Sequence, residues 1–134
     1  MKILVVDDEE DVISLFRQRF RRELRAGNLE LLFALSGEAA LGTLEDGDHA
    51  DIVLILSDIN MPGMSGLDLL KILKERDPRR PVVMVTAYDN DENKRIALSR
   101  AADGYINKPV DFEQLRTVIE QLTAGTRETG EHEA

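Results

Sequence analysis

The feature that most constrains this chain is an alternation. Five short apolar runs, rich in valine, isoleucine and leucine, are separated by stretches whose apolar residues recur every three or four positions. The runs read as strands at 2–6, 29–35, 52–57, 82–86 and 104–107. The stretches between them read as helices. The first helix carries Val12, Leu15, Phe16, Phe20 and Leu24 on one face and ends at Gly27-Asn28. The second, at 38–45, follows a capping Ser36 and stops at Asp46-Gly47. The third presents Leu67, Leu70 and Leu73 and ends before Asp77-Pro78. The fourth, at 92–101, is thinly anchored by Ile96, Ala97 and Ala101. The fifth, at 111–122, shows Leu115, Val118, Ile119 and Leu122 behind Asp111 as its cap. Strands alternating with helices imply right-handed crossovers. The expected fold is therefore α/β, a mainly parallel sheet with helices on both faces.

A chain of 134 residues suits one domain, placed at 1–123. Beyond it nothing larger than alanine is apolar, so 124–134 is expected to be a flexible tail. No segment approaches the length of a membrane span. The opening apolar run turns acidic at Asp7, unlike a secretory leader. Cysteine is absent, which excludes disulfides and thiolate metal sites. A cytoplasmic protein is expected. The net charge of −9 argues against nucleic acid as a direct partner. One local exception is Arg17, Arg19, Arg21, Arg22 and Arg25, read as a solvated helix face.

In a parallel sheet every strand ends on the same edge. Asp7 and Asp8 close the first strand, Asp58 the third, Thr86 the fourth and Lys108 the fifth. The third run is apolar throughout, as a strand buried on both faces would be, and it breaks into Asp58 before Pro62, Gly63 and Gly66 force a turn. Asp58 thus sits where open α/β sheets place their ligands. Taken singly, each of these residues has an ordinary explanation: a helix cap, a strand threonine, a surface lysine. Three carboxylates gathered together repel one another, and a cation with a preference for oxygen ligands, Mg²⁺ in particular, relieves that repulsion.

These motifs carry a resemblance. Val5-Val6-Asp7-Asp8-Glu9, the stretch from Asp58 through Asn60-Met61-Pro62-Gly63-Met64-Ser65 to Gly66, Thr86-Ala87 and Lys108-Pro109 resemble the receiver domain of two-component response regulators. The resemblance runs from Lys2 to about Leu122. It implies a doubly wound, flavodoxin-like sheet of five strands in the order 2-1-3-4-5. It also implies that Asp58 accepts a phosphoryl group from the phosphohistidine of a sensor histidine kinase or phosphotransfer protein. Mg²⁺ would be held by Asp8, Asp58 and the Asn60 carbonyl, with Asp7 acting through a bound water. Lys108 and the Thr86 hydroxyl would each meet a phosphoryl oxygen, and Lys108-Pro109 would be a cis peptide. Thr86 and Tyr105 would form the switch. The modified state would be read on the fourth helix, fifth strand and fifth helix, roughly 88–122, by an output protein or a second copy. Such a domain acts catalytically only on its own phosphorylation and dephosphorylation.

Two rivals use similar residues. A haloacid-dehalogenase-like phosphatase needs its Asp-x-Asp early, whereas Asp58-Ile59-Asn60 comes late and lacks the second acid. A receiver acting as a phosphorylation-independent scaffold would be expected to lose an acid or the lysine, and this chain keeps them. The segment between Asp8 and Asp58 is longer than in the shortest family members, with the extra length near 21–31 and 46–52.

Overall fold

The computed structural model describes the backbone of residues 1–87 and 91–133, with the side chains of Asp48 and residues 125–133 outside the description. Five strands alternate with helices: β1 (Lys2–Val6), α1 (Asp11–Arg19), α2 (Arg21–Arg25), β2 (Glu30–Ala34), α3 (Gly37–Glu45), β3 (Ile52–Asp58), α4 (Gly66–Arg76), β4 (Val82–Thr86), α5 (Asp91–Ser99), β5 (Gly104–Asn107) and α6 (Phe112–Glu133). A 3₁₀ turn, Gly47–His49, precedes β3. The sheet order is β2-β1-β3-β4-β5 and each neighbouring pair is parallel. This is the doubly wound order expected from the sequence.

Alternate residues of each strand feed two cores. Leu4, Val6, Ile55, Val82 and Met84 face the side covered by α3, α4 and α5. Ile3, Val5, Leu54, Leu56, Val83 and Val85 face the side covered by α1 and α6. The register slips between Lys2 and Ile3, which pair with Ile52 and Leu54. Ile52 and Leu54 therefore enter opposite cores although they are two residues apart. On the second side Phe112 meets Phe16 and Phe20 edge-on, its ring centred 5.3 Å from Phe16 and 5.8 Å from Phe20.

Two caps form as expected. Ser36 Oγ accepts from Ala39 N at 3.0 Å, and Asp111 Oδ1 accepts from Glu113 N at 3.0 Å. Three expectations change. The first helix is divided at Phe20, whose backbone leaves the helical basin (φ −104°, ψ 19°) while its ring is buried against Phe112. Leu15, assigned by its spacing to the core, is 39% exposed. The fourth expected helix, α5, ends at Ser99 rather than Ala101. Ala101 takes a left-handed φ of 65°, and Ala102 N donates back to Ala97 O at 3.0 Å, closing the helix where glycine is usual. Ala101 is therefore exposed, and Ala102 packs on the core in its place.

The backbone of α6 stays helical to Glu133, past the end of the apolar pattern. Of the arginine run, Arg17 lies over the Phe33 ring at 5.4 Å and Arg19 over Phe112 at 5.4 Å, and all five arginines are exposed.

Candidate functional site

The carboxyl edge of the sheet is held by backbone hydrogen bonds that run just past the strands. Asp7 N donates to Ala34 O at 3.0 Å, Ile59 N to Val85 O at 3.2 Å, and Lys108 N to Thr86 O at 2.7 Å. Asp58 thus closes β3, Asp7 and Lys108 directly follow β1 and β5, and their side chains converge.

Lys108 Nζ donates to Asp7 Oδ2 at 2.9 Å and lies 3.5 Å from Asp58 Oδ2. The other oxygen of each carboxylate is also occupied. Asp7 Oδ1 accepts from Glu9 N at 2.9 Å, and Asp58 Oδ1 from Ile59 N at 2.8 Å. Asp7 and Asp58 are each only 6% exposed, while Asp8 is the most open of the three acids. One carboxylate oxygen from each of Asp7, Asp8 and Asp58 lies within 4.8 Å of the others. Three hard oxygen donors at that spacing, one of them open to solvent, suit a divalent cation of the Mg²⁺ type.

The electrostatics follow from this crowding. Burial pushes the Asp58 carboxyl above its usual range; Lys108 pulls it back and Asp7 adds to the rise. For Lys108 burial acts downward, yet the hydrogen bond it donates to Asp7 and the attraction of Asp58, Asp7 and Glu9 together raise it above its ordinary value.

The remaining expected residues lie around this centre. Thr86 is fully buried at the end of β4 and pairs in register with Asn107. Asn60 is exposed two residues after Asp58. Tyr105, opposite Met84, is half-buried and packs on the α3–α5 side of the sheet. The Lys108-Pro109 bond is cis.

Two features escape the sequence reading. Gly66 is more than a turn former: a Cβ there would sit 1.9 Å from the Asp58 carbonyl oxygen and 2.8 Å from its carbonyl carbon. Gly66 N donates to Ile59 O at 2.8 Å, so the start of α4 is tucked under the end of β3. The second feature is a cleft of about 330 Å³ that opens beside Asp7, Asp58 and Lys108. Its walls are Val12, Leu15 and Phe16 of α1 and Val110 and Phe112 of the β5–α6 segment. The exposure of Leu15 is explained by its place in this wall, and a helical repeat cannot distinguish that from core.

A sequence model of the response regulator receiver domain matches residues 3–120. The chain belongs to this family. The receiver domain is 34% identical over 128 residues to the transcriptional regulatory protein ZraR of Salmonella typhimurium, covering 96% of this chain and 27% of that protein. It is 36% identical over 132 residues to the sensory transduction protein RegX3 of Mycobacterium bovis, covering 98% of this chain and 53% of that one. It thus spans less than two thirds of these relatives. Among solved structures, a CheY-like receiver domain protein from Methanospirillum hungatei superposes with a TM-score of 0.80 at 30% identity, over 95% of this chain and 97% of the other. A receiver domain protein from Clostridium thermocellum gives 0.83 at 26% identity, over 96% and 98%. This receiver domain serves two-component signalling. No described helix is long and apolar enough to cross a membrane.

Proposed function

We propose that Asp58 is the phosphoacceptor of this receiver domain, taking its phosphoryl group from the phosphohistidine of a sensor histidine kinase or phosphotransfer protein. The observation that carries this reading is the placement of Asp58. It ends the central strand, nearly buried, with Lys108 Nζ at 3.5 Å and two further carboxylates within 4.8 Å.

A carboxylate oxygen of Asp58 attacks phosphorus and forms the new O–P bond. The P–N bond of the donor breaks, and its electron pair leaves with the imidazole. Lys108, already poised between Asp7 and Asp58, shifts its hydrogen bonding to a phosphoryl oxygen, and the Thr86 hydroxyl donates to another. Hydrolysis is the same step with water as nucleophile and the Asp58 carboxylate as leaving group. The chain in this reading acts only on itself and is not a phosphatase of external esters.

Mg²⁺ would be held by Asp8, Asp58 and the Asn60 carbonyl, with Asp7 one water away. When bound, it supplies positive charge that offsets both the carboxylates and the incoming phosphoryl oxygens. The cleft walled by α1 and the β5–α6 segment gives the donor protein an apolar seat beside Asp58. A cytoplasmic location suits such a partner.

The modified state is read on α5, β5 and α6 by an output protein or a second copy. Thr86, drawn toward the phosphoryl group, vacates space beside β4 that the Tyr105 ring fills. The loop ahead of α5, at 88–90, lies outside the described residues, but α5 itself holds the core only through Ala97 and Ile96. That thin attachment suits an element with two packings.

Incubation with acetyl phosphate and Mg²⁺ should add one phosphoryl mass, and Asp58→Asn should abolish it. Undiminished labelling of Asp58→Asn would contradict the assignment. Beryllofluoride should move amide signals chiefly in α5, β5 and α6, less so in Thr86→Ala. Changes confined to α1–α3 would contradict the switch.

A further inference from the structure

The loop that leaves Asp58 rests on a bare spot at the start of α3. Gly37 is the first residue of that helix, directly after the Ser36 cap, and it is buried. A Cβ at position 37 would lie 2.9 Å from Met64 Sδ and 3.2 Å from both its Cγ and Cβ. Real Cβ atoms essentially never approach a neighbour within 3.0 Å. The crowding reaches the root of the methionine side chain, so a rotation at its tip does not relieve it.

Further contacts hold the same loop. Gly63, at φ 75°, turns the chain beside the Glu38 carboxylate, whose Oε1 is 3.5 Å from where a Cβ would stand. Met61 is buried in the core, and Gly66 passes under the Asp58 carbonyl. Residues 60–65 are thus pinned at Gly66 by the acceptor strand and at Met64 by α3. Asn60 lies between Asp58 and both pins.

We infer that Gly37 and Met64 form a steric clamp that sets where the loop carries Asn60 relative to Asp58. Gly37 is then a positioning residue for the cation site, although it touches neither cation nor phosphoryl group. This rests on the Mg²⁺ reading above. The inference has a sign that ordinary helix energetics lacks. Alanine is a better helix former than glycine, so Gly37→Ala at a helix start should be neutral or stabilising if nothing faced it. With Met64 in contact, the added methyl must instead push the loop outward.

The test is a Mg²⁺ titration of Gly37→Ala, Met64→Ala and the double variant, followed by amide chemical shifts, with melting curves in EDTA as a fold control. Gly37→Ala should bind Mg²⁺ about tenfold more weakly, the size seen when support behind a metal ligand is disturbed. Adding Met64→Ala to it should recover most of that affinity, because the contacts with Sδ and Cγ are removed and only the 3.2 Å contact with Cβ is left. Gly37→Ala with wild-type affinity, or a double variant as weak as the single one, would overturn the clamp. If the wild type binds no Mg²⁺, the metal reading fails, and the clamp is judged on the EDTA spectra alone. Shifts at 60–65 in Gly37→Ala that revert in the double variant then uphold it, and their absence overturns it.

Discussion

At the amino-terminal edge of the sheet each cation has carboxylates to itself. Lys2 Nζ lies 3.0 Å from Asp51 and 3.7 Å from Glu30, and Lys74 Nζ lies 2.6 Å from Asp103. At the carboxyl edge the excess of acid is larger: Asp7, Asp8 and Asp58 gather together, Lys108 is the lysine paired with them among the described residues, through Asp7 and Asp58, and two of the acids are nearly buried. The consequences for titration differ accordingly. The hydrogen bond from Lys2 holds Asp51 below its usual range, whereas burial holds Asp58 above its own. One edge of the sheet uses its charges to finish the fold. The other keeps an excess of negative charge that Lys108 offsets in part and that the proposed cation would relieve.

The largest expected effect attacks the scaffold of the crowded edge. Gly66→Ala forces a methyl into the Asp58 carbonyl at a distance no packing absorbs, so β3 and α4 must separate. We expect a loss of about 3 kcal/mol or more, read from urea denaturation. A near-wild-type midpoint would mean that the close approach does not matter.

Removing the lysines separates the two edges. Lys108→Ala leaves two buried acids facing each other and should lower apo stability by roughly 2 kcal/mol. Lys2→Met removes a half-buried cation whose partners Asp51 and Glu30 are exposed, and should leave the denaturation midpoint essentially unmoved. Comparable losses in the two variants would erase the distinction between the edges.

A smaller effect is the pH dependence in EDTA. Because the folded-state value of Asp58 is raised, the folded protein takes up a proton before the unfolded chain does as pH falls. Asp58 therefore contributes stability that is complete below the ordinary carboxylate value of 3.8 and is lost as pH rises through its higher folded value. Lys108, also raised, contributes stability present below 10.5 and lost as pH climbs through its folded value. Asp58→Asn should flatten the acid limb of the stability–pH curve and weaken the alkaline limb, because the Asp58 charge is one of those that raise Lys108. An acid limb unchanged in Asp58→Asn would place the titration elsewhere.

Much of this was legible in the sequence because two patterns carry it. Strands are written as short continuous apolar runs, such as Ile3 to Val6 and Ile52 to Leu56, and helices as a period of 3.6, as in Leu67, Leu70 and Leu73. Once five parallel strands are in order, the meeting of Asp7, Asp58 and Lys108 follows from topology alone. The missed features depend on partners distant in sequence. The break at Phe20 answers to Phe112, and the exposure of Leu15 to a cleft formed with Val110 and Phe112. A glycine's letter does not say whether it serves a turn or a close approach, so Gly66 beneath Asp58 and Gly37 beneath Met64 needed coordinates. The end of α5 at Ser99, closed by the left-handed Ala101, could not be read either, since left-handed alanine is uncommon.

The central claim is that the carboxyl edge keeps its excess of negative charge for a cation, and the thermal stability of wild type and Asp8→Ala across a Mg²⁺ series tests it most directly. A cation that binds the folded site and not the unfolded chain raises the melting temperature by mass action. Wild type should gain stability at millimolar Mg²⁺. Asp8→Ala, relieved of one acid, should be as stable as wild type or more so in EDTA and should gain nothing from the ion. An Asp8→Ala protein that melts lower in EDTA and still rises with Mg²⁺ would show that the acids are structural and the cation binds elsewhere.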